Sequence, residues 1–197
     1  MKLYEPFDFL TPEECEEIIY YGRSRKQTKA KVYNPGRGIV NEVQEDMRKC
    51  NVCFYDDPKL TSKILEVFHL FDKDLSIQGL GDGPDSIKRS TLQITFYKQN
   101  EFFDWHTDKI VHKRSIFNWR KKFHRILSMT VELQPAPQAG LFIDSNVYPD
   151  IPRNEDLSIK MKQGQAIIFK SDDYHMAKNL GTKQRVSLIA WAGKLMR

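Results

Sequence analysis

From Ser90 onward the sequence breaks into short apolar segments divided by turns, and this limits the folds open to it more than any other feature. Strands are predicted over 91–98, 125–133, 139–144, 157–161, 166–170, 176–180 and 185–192. Many short strands at close spacing point to a sandwich or a barrel. Upstream the apolar period becomes helical. Thr11 is placed to cap a helix, Pro12 suits its first turn, and Glu14 completes a capping box. Leu10 and Cys15 flank that cap as a hydrophobic staple, and Cys15, Ile18 and Ile19 mark a buried face on a helix reaching about Arg23. A second helix is expected over 58–75, where Leu60, Ile64, Val67, Phe68 and Phe71 recur at helical spacing. Residues 3–9 read as a short edge strand, 28–32 alternate as a strand does, and 47–55 read as a further strand.

The chemistry is concentrated in Phe102-Phe103-Asp104-Trp105-His106-Thr107-Asp108, which follows the 91–98 segment. At a strand end, residues i and i+2 share a face, so His106 and Asp108 offer an imidazole nitrogen and a carboxylate oxygen to one point. An isolated His-x-Asp is commonplace on surface loops. It gains meaning from a second His on another strand, because two imidazoles and one carboxylate form the facial triad that suits non-haem Fe(II) and leaves coordination positions open. The candidate is His175, beyond the apolar run Ala166-Ile167-Ile168-Phe169. Arg185 opens the following strand, in which Trp191 lies.

Taken together, Tyr97, His106-x-Asp108, His175, Arg185 and Trp191 resemble, in order and spacing, the prolyl 4-hydroxylase-like branch of the Fe(II)/2-oxoglutarate-dependent dioxygenases. The resemblance runs from Thr91 to the C-terminus, and Phe9-Leu10-Thr11-Pro12-Glu13-Glu14-Cys15 is similar to the family's first helix. It implies a mainly β fold with packed N-terminal helices, a double-stranded β-helix of the jelly-roll or cupin-like kind. It implies Fe(II) held by His106, Asp108 and His175, with 2-oxoglutarate and O2 as cosubstrates and ascorbate as a candidate stimulant. Arg185 is the implied anchor for the distal carboxylate of 2-oxoglutarate, through charge-assisted paired hydrogen bonds. Tyr97 corresponds to a family tyrosine that contacts the cosubstrate, and Trp191 to an aromatic of the pocket wall. Related halogenases lack the triad carboxylate, so Asp108 implies hydroxylation. The implied reaction couples decarboxylation of 2-oxoglutarate, giving succinate and CO2, to hydroxylation of a C–H bond, most simply of a prolyl residue in a peptide or protein.

Other readings stay open beside it. Ser128 and Thr130 alternate with Leu127, Met129, Val131 and Leu133, which turns the two hydroxyls toward the pocket and makes Thr130 a candidate cosubstrate contact. Glu132 shares that face. There it would repel a distal carboxylate, so it is expected either to turn away or to signal a different register. The segment 109–124 mixes basic residues with Phe117, Trp119 and Phe123, a combination that can stack bases and hold phosphates, line a substrate rim, or simply be solvated. A nucleic-acid demethylase is therefore an alternative, although such enzymes carry a second Arg where Trp191 stands. A non-catalytic jelly-roll binding module is the other. His112 and His124 lack the strand-end setting of His106 and are not expected to be ligands. Residues 33–45, loop-like by their Pro and Gly, fit either a cover over the substrate or an ordinary surface loop.

Composition sets looser bounds. The 197 residues fit one domain, 1–197, with 1–89 as helical and strand support and 90–197 as the core. No apolar run approaches the ~18 residues that span a bilayer, and Met1-Lys2-Leu3-Tyr4-Glu5 has no signal-peptide core. A cytoplasmic protein is expected, with oligomeric state open. A net charge of +5 permits an anionic partner without requiring one. Cys50 and Cys53 have redox-motif spacing but fall on opposite faces of a strand, so with Cys15 they read as structural thiols.

Overall fold

The computed structural model describes residues 3–33, 41–75, 92–109, 122–144 and 158–196. In chain order the elements are β1 (Phe7–Asp8), α1 (Pro12–Ser24), β2 (Thr28–Lys29), β3 (Val32–Tyr33), β4 (Asn41–Glu42), β5 (Arg48–Lys49), β6 (Asn51–Tyr55) and α2 (Pro58–Leu75). They continue with β7 (Leu92–Tyr97), β8 (Glu101–His106), β9 (Lys122–Gln134), β10 (Ala139–Asp144), β11 (Ser158–Ile159), β12 (Gln165–Lys170), β13 (Tyr174–Asn179) and β14 (Arg185–Met196). A large sheet has the order β1-β12-β9-β14-β7-β6-β2, and a small sheet the order β11-β10-β13-β8-β5. All pairings are antiparallel. This is the jelly-roll, or double-stranded β-helix, architecture that the family resemblance implied, and it narrows the sandwich or barrel expected from the strand pattern.

Alternation divides the large sheet into two chemically distinct faces. One face carries Leu127, Met129, Val131, Leu133, Leu188, Ala190, Leu92, Ile94, Phe96, Ala166 and Ile168, all part of one buried cluster. Cys15, Ile18 and Ile19 of α1 and Leu60, Ile64, Phe68 and Phe71 of α2 join that cluster. The opposite face carries Ser128, Thr130, Glu132, Ser187, Thr95 and Gln93, polar yet buried. A sheet face lined by buried polar side chains is a poor core and a good pocket floor. Phe68 is fully buried under α2. Phe68→Ala is expected to cost about 3–5 kcal/mol and to lower Tm by roughly 10 °C in a scanning-calorimetry trace; a Tm unchanged within error would mean that α2 does not hold the sheet.

The capping box forms as expected: Thr11 Oγ1 accepts from the Glu14 amide at 3.2 Å, and the Thr11 amide donates to Glu14 Oε2 at 2.8 Å. Gly164, at φ +80, turns the chain into β12 where a Cβ would lie 2.1 Å from the Leu10 carbonyl oxygen. The position thus requires glycine both for its dihedral and for its clearance.

Two differences from the sequence reading concern how the chain changes sheets. The single strand expected over 47–55 is two. Arg48–Lys49 pairs with β8 in the small sheet, Asn51–Tyr55 pairs with β7 in the large one, and the chain crosses at Cys50. Cys50 and Cys53 accordingly lie in different buried clusters, both as free thiols. Second, Glu101–His106 is a strand that alternation did not reveal. The chain leaves β7, turns through Asn100 at φ 60, and re-enters in the small sheet. Asn179 secures this crossover by donating to the Tyr97 and Lys98 carbonyls at 2.9 and 3.3 Å. β3 and β4 pair as a separate ribbon. Residues 34–40, most of the segment that fits either a substrate cover or an ordinary surface loop, lie outside the described residues, as do 110–121 of the basic segment with His112.

Candidate active site

The small sheet brings the two histidines together. His106 on β8 is the direct partner of His175 on β13, and a register shift follows between His175 and Ala177. That bulge places Phe103 and His106, three positions apart, on the same inward face. His175 lies within β13, one residue inside a strand that the sequence suggested begins after it. The Phe103 ring stacks on His106 at 3.3 Å, the Phe169 ring meets His175 edge-on at 4.7 Å, and the two imidazoles are 4.1 Å apart. These aromatic walls hold the rings in place and exclude water.

Backbone carbonyls set the tautomers. His106 Nδ1 donates to the Asp104 carbonyl at 2.6 Å, and His175 Nδ1 donates to the Asp173 carbonyl at 3.1 Å. A carbonyl oxygen can only accept, so each Nε2 keeps its lone pair. Both Nε2 atoms face Asp108, at 4.0 Å from Oδ1 for His106 and 3.4 Å from Oδ2 for His175. The donor atoms of the three residues lie within 4.8 Å of one another. Burial, and then neighbouring His175, hold the His106 pKa well below the usual imidazole range. Burial pushes Asp108 up, but His175, His106 and Arg125 outweigh it and hold the carboxyl far below its ordinary value. Three side chains that can each offer an electron pair thus converge in a largely buried space, an arrangement suited to a cation between them. Two neutral imidazoles and a carboxylate suit Fe(II).

The large sheet supports this cluster from behind. Ser128 Oγ donates to Asp108 Oδ2 at 2.8 Å, so the 2.9 Å contact with Ser171 Oγ has Ser171 as donor. Arg125, which the sequence reading passed over, reaches 3.8 Å from Asp108 Oδ1 and covers the Trp191 ring at 3.8 Å. Strict alternation puts Arg125 on the helix side with Leu127. A register shift between Ala192 and Gly193 turns it inward, and Gly193 permits the bulge because a Cβ there would lie 1.9 Å from the His124 carbonyl. Ser128→Ala removes a hydrogen bond that aims the carboxylate. It is expected to weaken metal binding about 10–100-fold, read by calorimetric titration of Mn(II); unchanged affinity would leave Ser128 no part in the site.

The sequence from 92 to 193, just over half of the chain, matches the family model described as the 2OG-Fe(II) oxygenase superfamily. The chain belongs to that superfamily. It is a 2-oxoglutarate-dependent dioxygenase that uses Fe(II) and O2. No curated protein matches the oxygenase in sequence. Among solved structures it is similar to the viral collagen prolyl hydroxylase vCPH of Paramecium Bursaria Chlorella virus-1, at 16% identity and TM-score 0.65, over 98% of this chain and 97% of that one. It is also similar to a Pseudomonas putida prolyl-4-hydroxylase, at 15% identity and TM-score 0.65, over 96% and 92% of the two chains. A prolyl hydroxylase of Trichoplax adhaerens, in complex with a hypoxia inducible factor peptide fragment, matches at 14% identity and TM-score 0.56, over 96% and 83%. At these identities the likeness establishes the fold.

The remaining predicted residues share the inward face of the large sheet. Tyr97 is the cross-strand partner of Arg185, and the guanidinium lies over its ring at 5.5 Å. Thr130 is buried between Ser128 and Glu132. Trp191 pairs with Ser128, and its indole Nε1 is buried with no hydrogen-bond partner among the described residues, as is Ser187 Oγ. Orphaned buried polar atoms on one pocket face suit a polar ligand that supplies their partners. His124 is not among the converging donors.

Glu132 behaves as neither sequence alternative expected. It faces inward as the cross-strand partner of Ser187, beside a register shift between Val186 and Ser187, and binds Arg185. Arg185 Nε lies 3.1 Å from both carboxylate oxygens, and Nη2 lies 2.8 Å from Oε2. The carboxylate therefore grips one side of the guanidinium, and Nη1 has no hydrogen bond among the described residues.

Proposed function

We propose that this oxygenase hydroxylates a prolyl residue of a peptide or protein, with His106, Asp108 and His175 as the Fe(II) ligands and Arg185 as the anchor for the distal carboxylate of 2-oxoglutarate. The single observation that carries the ligand assignment is the convergence of two lone-pair Nε2 atoms and one ionised carboxylate in a buried space. The prolyl assignment rests on likeness over nearly the whole chain to two prolyl hydroxylases, in viral and bacterial proteins of similar length.

When bound, iron supplies the O2 activation that couples oxidation of 2-oxoglutarate to oxidation of a C–H bond. The chain's own part is positioning and exclusion. Phe103 and Phe169 keep the imidazoles oriented and water out. Ser128 and Ser171 fix the carboxylate. Tyr97 supports the Arg185 guanidinium from below, while Thr130 and Trp191 form the wall between the metal ligands and that anchor. Buried free thiols at Cys15, Cys50 and Cys53 suit a reducing compartment, which favours a cytoplasmic enzyme. Among the described residues no helix is long and apolar enough to cross a membrane.

The test is incubation with Fe(II), 2-oxoglutarate and O2, offering proline-rich peptides and methylated oligonucleotides in parallel. The expected result is a peptide that gains one oxygen atom on a proline ring, with succinate formed in equal amount. Processing of oligonucleotides alone would overturn the substrate assignment while leaving the cofactor chemistry in place.

A further inference from the structure

The Arg185–Glu132 pair has a consequence for cosubstrate binding. Arg185 is 1% exposed and Glu132 4% exposed, and the pair is formally neutral. A 2-oxoglutarate dianion brings one carboxylate to the metal and a second to Arg185. That second carboxylate meets a guanidinium whose charge is already answered, with an anionic oxygen a few ångströms away in a dry space. Like charges so close cannot both stay ionised cheaply. Protonating Glu132 removes the repulsion, restores the net positive charge of the site, and creates an O–H that can donate to the incoming carboxylate.

We propose that 2-oxoglutarate binding to this enzyme is coupled to uptake of one proton by Glu132, which shares Arg185 with the cosubstrate's distal carboxylate. The inference rests on the reading of Arg185 as the distal anchor. The proton comes from solvent and forms an O–H bond on Glu132; no other bond is made or broken.

Geometry supports the sharing. Glu132 holds the Nε and Nη2 side of the guanidinium, which leaves the Nη1 and Nη2 end for a second carboxylate. Ser128, which aims Asp108, and Glu132, which holds Arg185, lie on one face of β9 about 13 Å apart along the strand, with Thr130 between them. The surroundings favour the protonated form. Burial raises the Glu132 pKa even against the opposing pull of Arg185, which is the charged group acting on it among the described residues. The other titratable groups nearby are neutral: Tyr97 on β7 and Cys15 on α1, both raised chiefly by burial. β14 otherwise turns Ser187 toward it, β7 turns Thr95, and β12 opens beside it with the uncharged Gln165, which donates to the exposed Asp8, followed by apolar Ala166 and Ile167.

The experiment is calorimetric titration of 2-oxoglutarate into protein loaded with Mn(II), in buffers of different ionisation enthalpy across neutral and alkaline pH. The wild type is expected to take up about one proton per 2-oxoglutarate, and its Kd to weaken with rising pH by up to about tenfold per unit. Glu132→Gln mimics the protonated side chain. It is expected to abolish the uptake, remove the pH dependence, and bind more tightly than wild type at alkaline pH. Absent proton uptake in wild type overturns the proposal, as does a Glu132→Gln protein that is folded yet binds more weakly. Should that variant fail to fold, the wild-type proton count decides alone. A titration with 2-oxopentanoate, which lacks the distal carboxylate, separates the two readings. Equal affinity for both ligands sinks the Arg185 anchor itself; preference for 2-oxoglutarate without proton uptake sinks only the coupling. No binding of either ligand sinks both.

Discussion

Replacing His175 by alanine is expected to abolish tight binding of Fe(II) or Mn(II) and, with it, all turnover of 2-oxoglutarate. The side chain supplies one of three donors, and its Nε2 is held toward Asp108 by the bond from Nδ1 to the Asp173 carbonyl. Loss of a supporting residue around a metal ligand costs about 10–100-fold in affinity, and loss of the ligand itself must cost more. The fold should survive, because His175 packs at the pocket end of β13 and the core under the helices is made of other residues. Calorimetric titration of metal, with circular dichroism to verify folding, checks both halves. A folded His175→Ala protein that binds metal within tenfold of wild type would remove His175 from the ligand set.

Arg185→Gln should damage stability rather than metal binding. The Arg185–Glu132 pair is almost wholly buried, with side chains 2% and 5% exposed. Solvent therefore does little to compensate a lone Glu132. Removing one partner of a buried pair costs about 3–5 kcal/mol, less what Glu132 recovers by taking up a proton, so the loss is expected to be largest at alkaline pH, where the lone carboxylate stays charged. Against a total of about 5–15 kcal/mol, that is a large fraction. Adding Glu132→Gln to Arg185→Gln should recover much of the loss, since the double variant leaves no buried charge. Chemical denaturation of the two single variants and the double variant measures the coupling. If the single and double variants are equally destabilised, the pair is not what makes Arg185→Gln costly.

How much of this was legible beforehand can be judged residue by residue. His106, Asp108, His175 and Arg185 stand out by order and spacing, because each sits at or near the end of a segment whose apolar run is strong enough to mark a strand, and the structure brings the donor atoms of the first three within 4.8 Å of one another. The capping box at Thr11 and Glu14 and the apolar stripe of α2 were equally plain, since both depend only on neighbours within one or two turns. Arg125 and Phe103 were missed for one physical reason. Each faces the pocket through a β-bulge, and a bulge adds a residue to one strand, which reverses the parity on which alternation depends. Glu101–His106 was missed as a strand because all of its residues are partly buried, so it shows no clean alternation. Glu132 was placed on the correct face, but its partner could not be read from the sequence.

The sequence by itself determined the two long helices and most of the core strands, the polar and apolar faces of the large sheet, and the residue types of a two-histidine, one-carboxylate site. These follow from period and local chemistry, which neighbouring residues decide. Tertiary structure alone decided that His106 stands opposite His175, that Ser128 and Arg125 aim Asp108, and that Glu132 closes on Arg185 across 53 positions of chain. Such contacts depend on strand register and on which sheet each segment joins. Both are set by packing of the whole molecule, and a local pattern carries no record of them.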